Sequence, residues 1–130
     1  MPTWGQPGDT LLWDAGHEGW HLWVVVTDPD PDDHKQVLVM IVSARRHTDK
    51  TLSLPPGSHP FIQHESHLDY GGARPFPQSK IATAIAHGKA KLQPPLAPEW
   101  LERVREAILQ SARTIHDVAD RCRKAFGRAK

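Results

Sequence analysis

The stretch Leu22-Trp-Val-Val-Val-Thr-Asp28-Pro-Asp-Pro-Asp-Asp-His-Lys-Gln-Val37-Leu-Val-Met-Ile-Val-Ser43 sets two apolar, β-branched runs on either side of an acidic loop broken by prolines. Val, Ile, Trp and Thr fit a pleated surface, so Leu22–Thr27 and Val37–Ser43 are expected as strands. Asp28-Pro-Asp-Pro-Asp-Asp33 cannot continue a ladder, because proline has no N–H to donate and Asp favours turns. The two runs are therefore expected to pair as a long-looped hairpin. No crossover helix lies between them, which makes the pairing antiparallel.

Working outward, Thr10–Asp14 and Thr51–Leu54 read as further strands. Ala73–Phe76 reads as an edge strand or bend, limited by Pro75 and Pro77. Lys80–His87 fits either a short helix stopped by Gly88 or a strand. From Pro98 to Phe126 the pattern changes: Leu101, Val104, Ile108, Ile115, Val118 and Cys122 recur at helical spacing with no interior proline. Pro98 suits a first-turn position. Ser111-Ala-Arg-Thr114 followed by Asp117 resembles a new N-cap, so the region is one helix or two, Pro98–Gln110 and Ile115–Phe126. The basic end Arg121–Lys130 is expected to fray into solvent. With 130 residues there is room for one core. The expected architecture is a single α+β domain, antiparallel strands over about 8–92 followed by a helical region over about 97–126.

Sixteen Lys and Arg against fifteen Asp and Glu give a net charge of +1. No global basic field marks a nucleic-acid partner, and any basic surface has to come from local placement. Cys122 is the only cysteine, which excludes an internal disulfide and a cysteine-built zinc site and fits a reducing cytoplasm. The first residues carry no signal-peptide pattern, and the apolar run Val37–Val42 is far too short to cross a bilayer, so no membrane association is expected. The chain contains no phosphate-binding P-loop, no dinucleotide fingerprint and no hydrolase nucleophile elbow, and no cofactor is expected.

Nine histidines are the compositional oddity, and imidazole suits proton transfer near neutral pH. The segment from Ser58 to Arg74 holds His59, His64, His67, Tyr70 and Arg74: bases, acids and a cation in one stretch. The plain alternative is solvated or hydrogen-bonded loop histidines. Zinc bound by His59, His64 and His67 is a competing use, but the H-x4-H-x2-H spacing matches no helical face and no metal is expected. A second cluster follows the Val37–Val42 run, with Ser43, Arg45, Arg46 and His47 suited to a phosphodiester; a polar turn after a buried strand looks the same. A third, His17-Glu-Gly-Trp-His21, has His21 at a strand start, and Trp13, Trp20 and Trp23 are either stacking faces for bases or packing.

The order of these pieces resembles the MazF/PemK toxins of type II toxin–antitoxin systems. Gly8-Asp9-Thr-Leu-Leu-Trp-Asp14 is similar to the family's opening strand, His21-Leu-Trp-Val-Val-Val26 to its second, and Val37–Ser43 to its third, which ends at Thr or Ser. Ala73-Arg74 with Ile81, Leu96, Glu99, Leu101, Val104, Ala107 and Ile108 is similar to its late strand and C-terminal helix. The resemblance spans about residues 8–112. It implies a small SH3-like barrel, a homodimer, a cognate antitoxin, and metal-independent cleavage of single-stranded RNA. Ser43 matches the family's Thr or Ser. Where the family carries an Arg before the second strand, Trp20-His21-Leu22 stands, so His21 or His17 has to supply the proton transfer or the charge. The expected catalytic set is His21, Ser43, His59 and His64, with His17, Arg45, Arg46, His47, Tyr70 and Arg74 binding substrate.

Overall fold

The computed structural model of the chain describes residues 5–16, 19–43 and 49–127. Six strands form one antiparallel sheet: β1 (Thr10–Trp13), β2 (His21–Val25), β3 (Lys35–Ser43), β4 (Ser66–Leu68), β5 (Arg74–Pro77) and β6 (Ala90–Gln93). Three helices accompany them: α1 (Gln78–Ala86), α2 (Pro98–Gln110) and α3 (His116–Ala125). The strand order is β4-β3-β2-β1-β6, and β5 pairs with the first half of β3.

The hairpin forms as the sequence predicts, with Leu22 opposite Ile41 and Val25 opposite Leu38. Its strands lack polar alternation because both faces of the sheet are covered, the condition under which strands read as continuous apolar runs. Leu22, Val24, Val39 and Ile41 face α2 and α3, packing with Val104, Ile108, Val118 and Cys122. Trp23, Val25, Leu38, Met40 and Val42 join Leu11, Trp13 and Ile81 of α1 on the other side. Each fully buried aliphatic side chain contributes about 1.5–3 kcal/mol of apolar burial. Trp23 donates Nε1–H to the Trp13 carbonyl at 3.0 Å and meets Phe76 edge-on at 5.6 Å, so its polar atom is satisfied within the core.

The sheet is not closed into a barrel: among the described residues β6 pairs with β1 alone, and β4 and β5 end the other side on β3. Layers of helix on both faces take over the burial that closure would have provided. Thr51–Leu54 is not a strand. Asp49 takes the Thr51 N–H in a local turn and Pro55 stops the ladder, leaving only a bridge from Leu54 to Ser66. The pairing partner instead comes from inside the His-rich segment, as β4, and β6 lies where no strand was expected.

Lys80–His87 resolves as helix, closed at Gly88 with φ +74. The C-terminal region is two helices, yet the break is not made by a side-chain cap. Ile115 occupies the N-cap of α3 without a side-chain hydrogen bond, while Ser111 Oγ accepts from the Arg113 N–H and donates to Asp49 Oδ2 at 2.7 Å.

The basic end is held in place as far as Ala125. Arg121 forms a fork with Asp33 at 2.7 and 3.2 Å, and Lys124 reaches Asp30 at 3.3 Å, so the acidic loop between β2 and β3 is pinned to α3. The Arg121 hydrogen bond draws the Asp33 carboxyl down to about 2.

Candidate functional site

β2 begins at His21 and β3 ends at Ser43, so antiparallel pairing brings the two residues to the same end of the sheet. The 55–65 loop folds over that end. Ser58 N–H and Oγ–H both donate to the Pro55 carbonyl, Gly57 N–H to Ile62, and Ile62 N–H to His59, which closes a compact turn. Ile62 anchors the turn in the larger core. Phe61 and His64 project outward from it, and Trp20 lies opposite; Trp20 is 46% and Phe61 48% exposed.

The result is a cleft of about 350 Å³ whose floor is Leu22, Ile41 and Ile62 and whose walls include Trp20, His21, Ser43, Phe61 and His64. Ser43 continues the series Val39, Ile41 and so belongs to the α2/α3 face; His21 continues Val25, Trp23 and reaches the cleft from the strand end, its Cβ on the α1 face. Lys91 of β6 sets its ammonium over the Trp20 ring, 6.0 Å from the centroid, at the margin of the same cleft.

His59 is not in the cleft. It is 2% exposed, its Nδ1 accepts from the Phe61 N–H at 2.9 Å, and Nε2 lies 2.6 Å from the Pro94 carbonyl and 3.1 Å from Thr10 Oγ1. With Nδ1 accepting, the proton is placed on Nε2 and donated to Pro94. His59 thus ties the loop carrying Phe61 and His64 to the segment between β6 and α2, and it leaves the catalytic set as a positioning group. His67 is also buried, with Nε2 3.2 Å from Ser53 Oγ. His59, His64 and His67 do not converge; among the described residues no three His, Cys, Asp or Glu side chains are grouped to hold a metal ion.

Tyr70 is buried in the larger core, away from the cleft, where burial pushes its phenol above the ordinary range. Arg74 is exposed on β5 and donates to the carbonyls of Gly71 and Ala73 at 2.7 and 2.8 Å. Neither approaches the cleft residues as expected, because the short turn of helix at Tyr70–Gly72 and then β5 lead the chain back along the other half of β3. His17, Arg45, Arg46 and His47 lie outside the described residues. Trp13 and Trp23 are core; of the three indoles, Trp20 is the one exposed for stacking.

The sequence did not point to Phe61 or Lys91. Phe61 carries a readable signal, an aromatic between Pro60 and Ile62 in a loop rich in histidine. Lys91 carries none, since it becomes part of the cleft only through pairing of β6 with β1.

No family model, no curated protein and no solved structure matches the chain. Among the described residues no helix is long and apolar enough to cross a membrane.

Proposed function

We propose that the protein is the toxin of a toxin–antitoxin pair, a metal-independent endoribonuclease that takes single-stranded RNA into the cleft at the end of the sheet. The observation that carries the reading is the meeting of His21, Ser43 and His64 in one cleft walled by Trp20 and Phe61. The order of elements adds to it, by its resemblance to the MazF/PemK toxins. Aromatic faces stack bases without regard to sequence, each worth about 1–3 kcal/mol.

In this reading one imidazole of the His21 and His64 pair takes the proton of a ribose 2′-hydroxyl as its oxygen attacks phosphorus. The other gives a proton to the departing 5′-oxygen, leaving a 2′,3′-cyclic phosphate and a 5′-hydroxyl. Each proton transfer contributes about 10²–10⁴-fold. Ser43 donates its hydroxyl to a phosphate oxygen and positions it. A homodimer and an antitoxin lying across the groove belong to the same proposal.

The test is incubation of the purified protein with single-stranded RNA in EDTA between pH 6 and 8. Cleavage that falls by about 10²-fold or more in His64→Ala supports the proposal; RNA left intact over this range refutes it. Withdrawal of His59 from the chemistry favours one second reading, a non-catalytic module that binds nucleic acid through Trp20 and Phe61. Retention of RNA without turnover in the same assay would select it.

A further inference from the structure

From Tyr70 to Pro98 the chain contains no Asp or Glu, while it carries Arg74, Lys80, Lys89 and Lys91. The rest of the chain is left with twelve Lys and Arg against fifteen Asp and Glu. A net charge near zero therefore conceals a polar molecule. The acid-free segment folds into β5, α1 and β6, whereas α3 and the acidic loop hold their charges in mutual ion pairs. Lys80, Lys89 and Lys91 are exposed.

These lysines fall at two places, one on either side of β6. Lys91 stands over Trp20 at the cleft margin. Around β6, whose only strand partner among the described residues is β1, a second cavity of about 300 Å³ opens against α1, lined by Lys80, His87 and Lys89. Asp14, the one carboxylate among its described lining residues, accepts the Gly16 N–H at 3.2 Å. A cleft offering aromatic faces, with an exposed cation at its margin and more beyond β6, suits single-stranded nucleic acid: bases on rings, phosphates on cations.

We infer that single-stranded nucleic acid leaves the cleft past Lys91 and runs round β6 onto the α1 face, where Lys80 and Lys89 hold its phosphates. This rests on the nucleic-acid reading of the cleft but needs no cleavage there. It assigns Lys91 the phosphate at the junction.

Binding of 2′-O-methyl oligonucleotides, which lack the attacking hydroxyl, tests the path separately from catalysis. A long strand, roughly 20 nucleotides, is expected to bind the native protein at least tenfold tighter than one of roughly 6, a span that fits a single site. In the variant Lys80→Ala, Lys89→Ala, Lys91→Ala the advantage of length is expected to vanish. The slope of log affinity against log salt should become shallower by about 2, since each phosphate that a lysine neutralises on a single strand adds about 0.7 to it. Arg123→Ala, which removes a charge paired with Asp120 on α3, should change neither quantity. If length- and lysine-dependent binding holds while RNA is never cut, the nuclease proposal falls and the path stands. If the triple variant binds the long strand as the native protein does, with the same slope, the path is overturned. Tight binding of poly-glutamate at these lysines, with none of either oligonucleotide, overturns it in favour of an acidic peptide.

Discussion

His59 and His64 sit five positions apart in one loop and do opposite things. His59 is enclosed and satisfies the Phe61 N–H, so His59→Ala opens a cavity and leaves that N–H without its acceptor, while the Pro94 carbonyl keeps the Thr10 hydroxyl at 2.7 Å. A loss of about 1–3 kcal/mol in urea unfolding is expected, the cost of one hydrogen-bonding group left without its partner. His64 is exposed, so His64→Ala should move stability by no more than about 0.5 kcal/mol, while the proposed RNA cleavage is expected to fall by about 10²-fold or more. The pair of measurements separates a positioning residue from one that meets substrate. Cys122 illustrates burial at the same scale: its thiol is pushed up to about 12 by desolvation. Because the thiolate is the nucleophile, iodoacetamide should leave Cys122 unmodified in the folded protein and label it in urea, as read by intact-mass spectrometry.

Among the elements, α3 is held by charge as well as by its apolar side. Asp33 ionises at about 2 in the folded protein because Arg121 hydrogen-bonds to it. A carboxyl whose folded value is depressed stabilises the fold above its unfolded value and loses that contribution as pH falls through the folded one. The clasp between the acidic loop and α3 should therefore weaken between about pH 4 and pH 2. Asp33→Asn is expected to flatten the fall of the urea midpoint over this window; an unchanged pH dependence would show that the clasp contributes nothing. On the α1 side, Trp23→Ala removes a ring packed against Trp13 and Phe76, for an expected cost of about 3–5 kcal/mol in urea unfolding.

For the molecule as a whole, one sheet serves two cores, and neither helical layer is dispensable. Truncation after Gln110 removes Val118 and Cys122 from the larger core and leaves Val104 and Ile108 against solvent. A broadened, non-cooperative urea transition is expected for the truncated chain; a sharp native-like transition would mean that α2 covers the sheet alone.

The sequence by itself determined the local elements whose causes are local. The β2–β3 hairpin followed from β-branched runs and a proline-broken loop, α2 from its apolar spacing and Pro98, and the confinement of β5 to an edge from Pro75 and Pro77. Tertiary structure decided the rest, because it depends on partners distant in the chain. β4 and β6 are short and carry His or Lys, so they become strands only when β3 and β1 offer a ladder. The open sheet replaced the barrel because helices, by covering both faces, removed the need for closure. At the site, Ser43 and His21 were legible as strand ends, whereas the burial of His59 and the arrival of Lys91 over Trp20 depend on contacts dozens of residues apart, which no periodicity within one segment encodes.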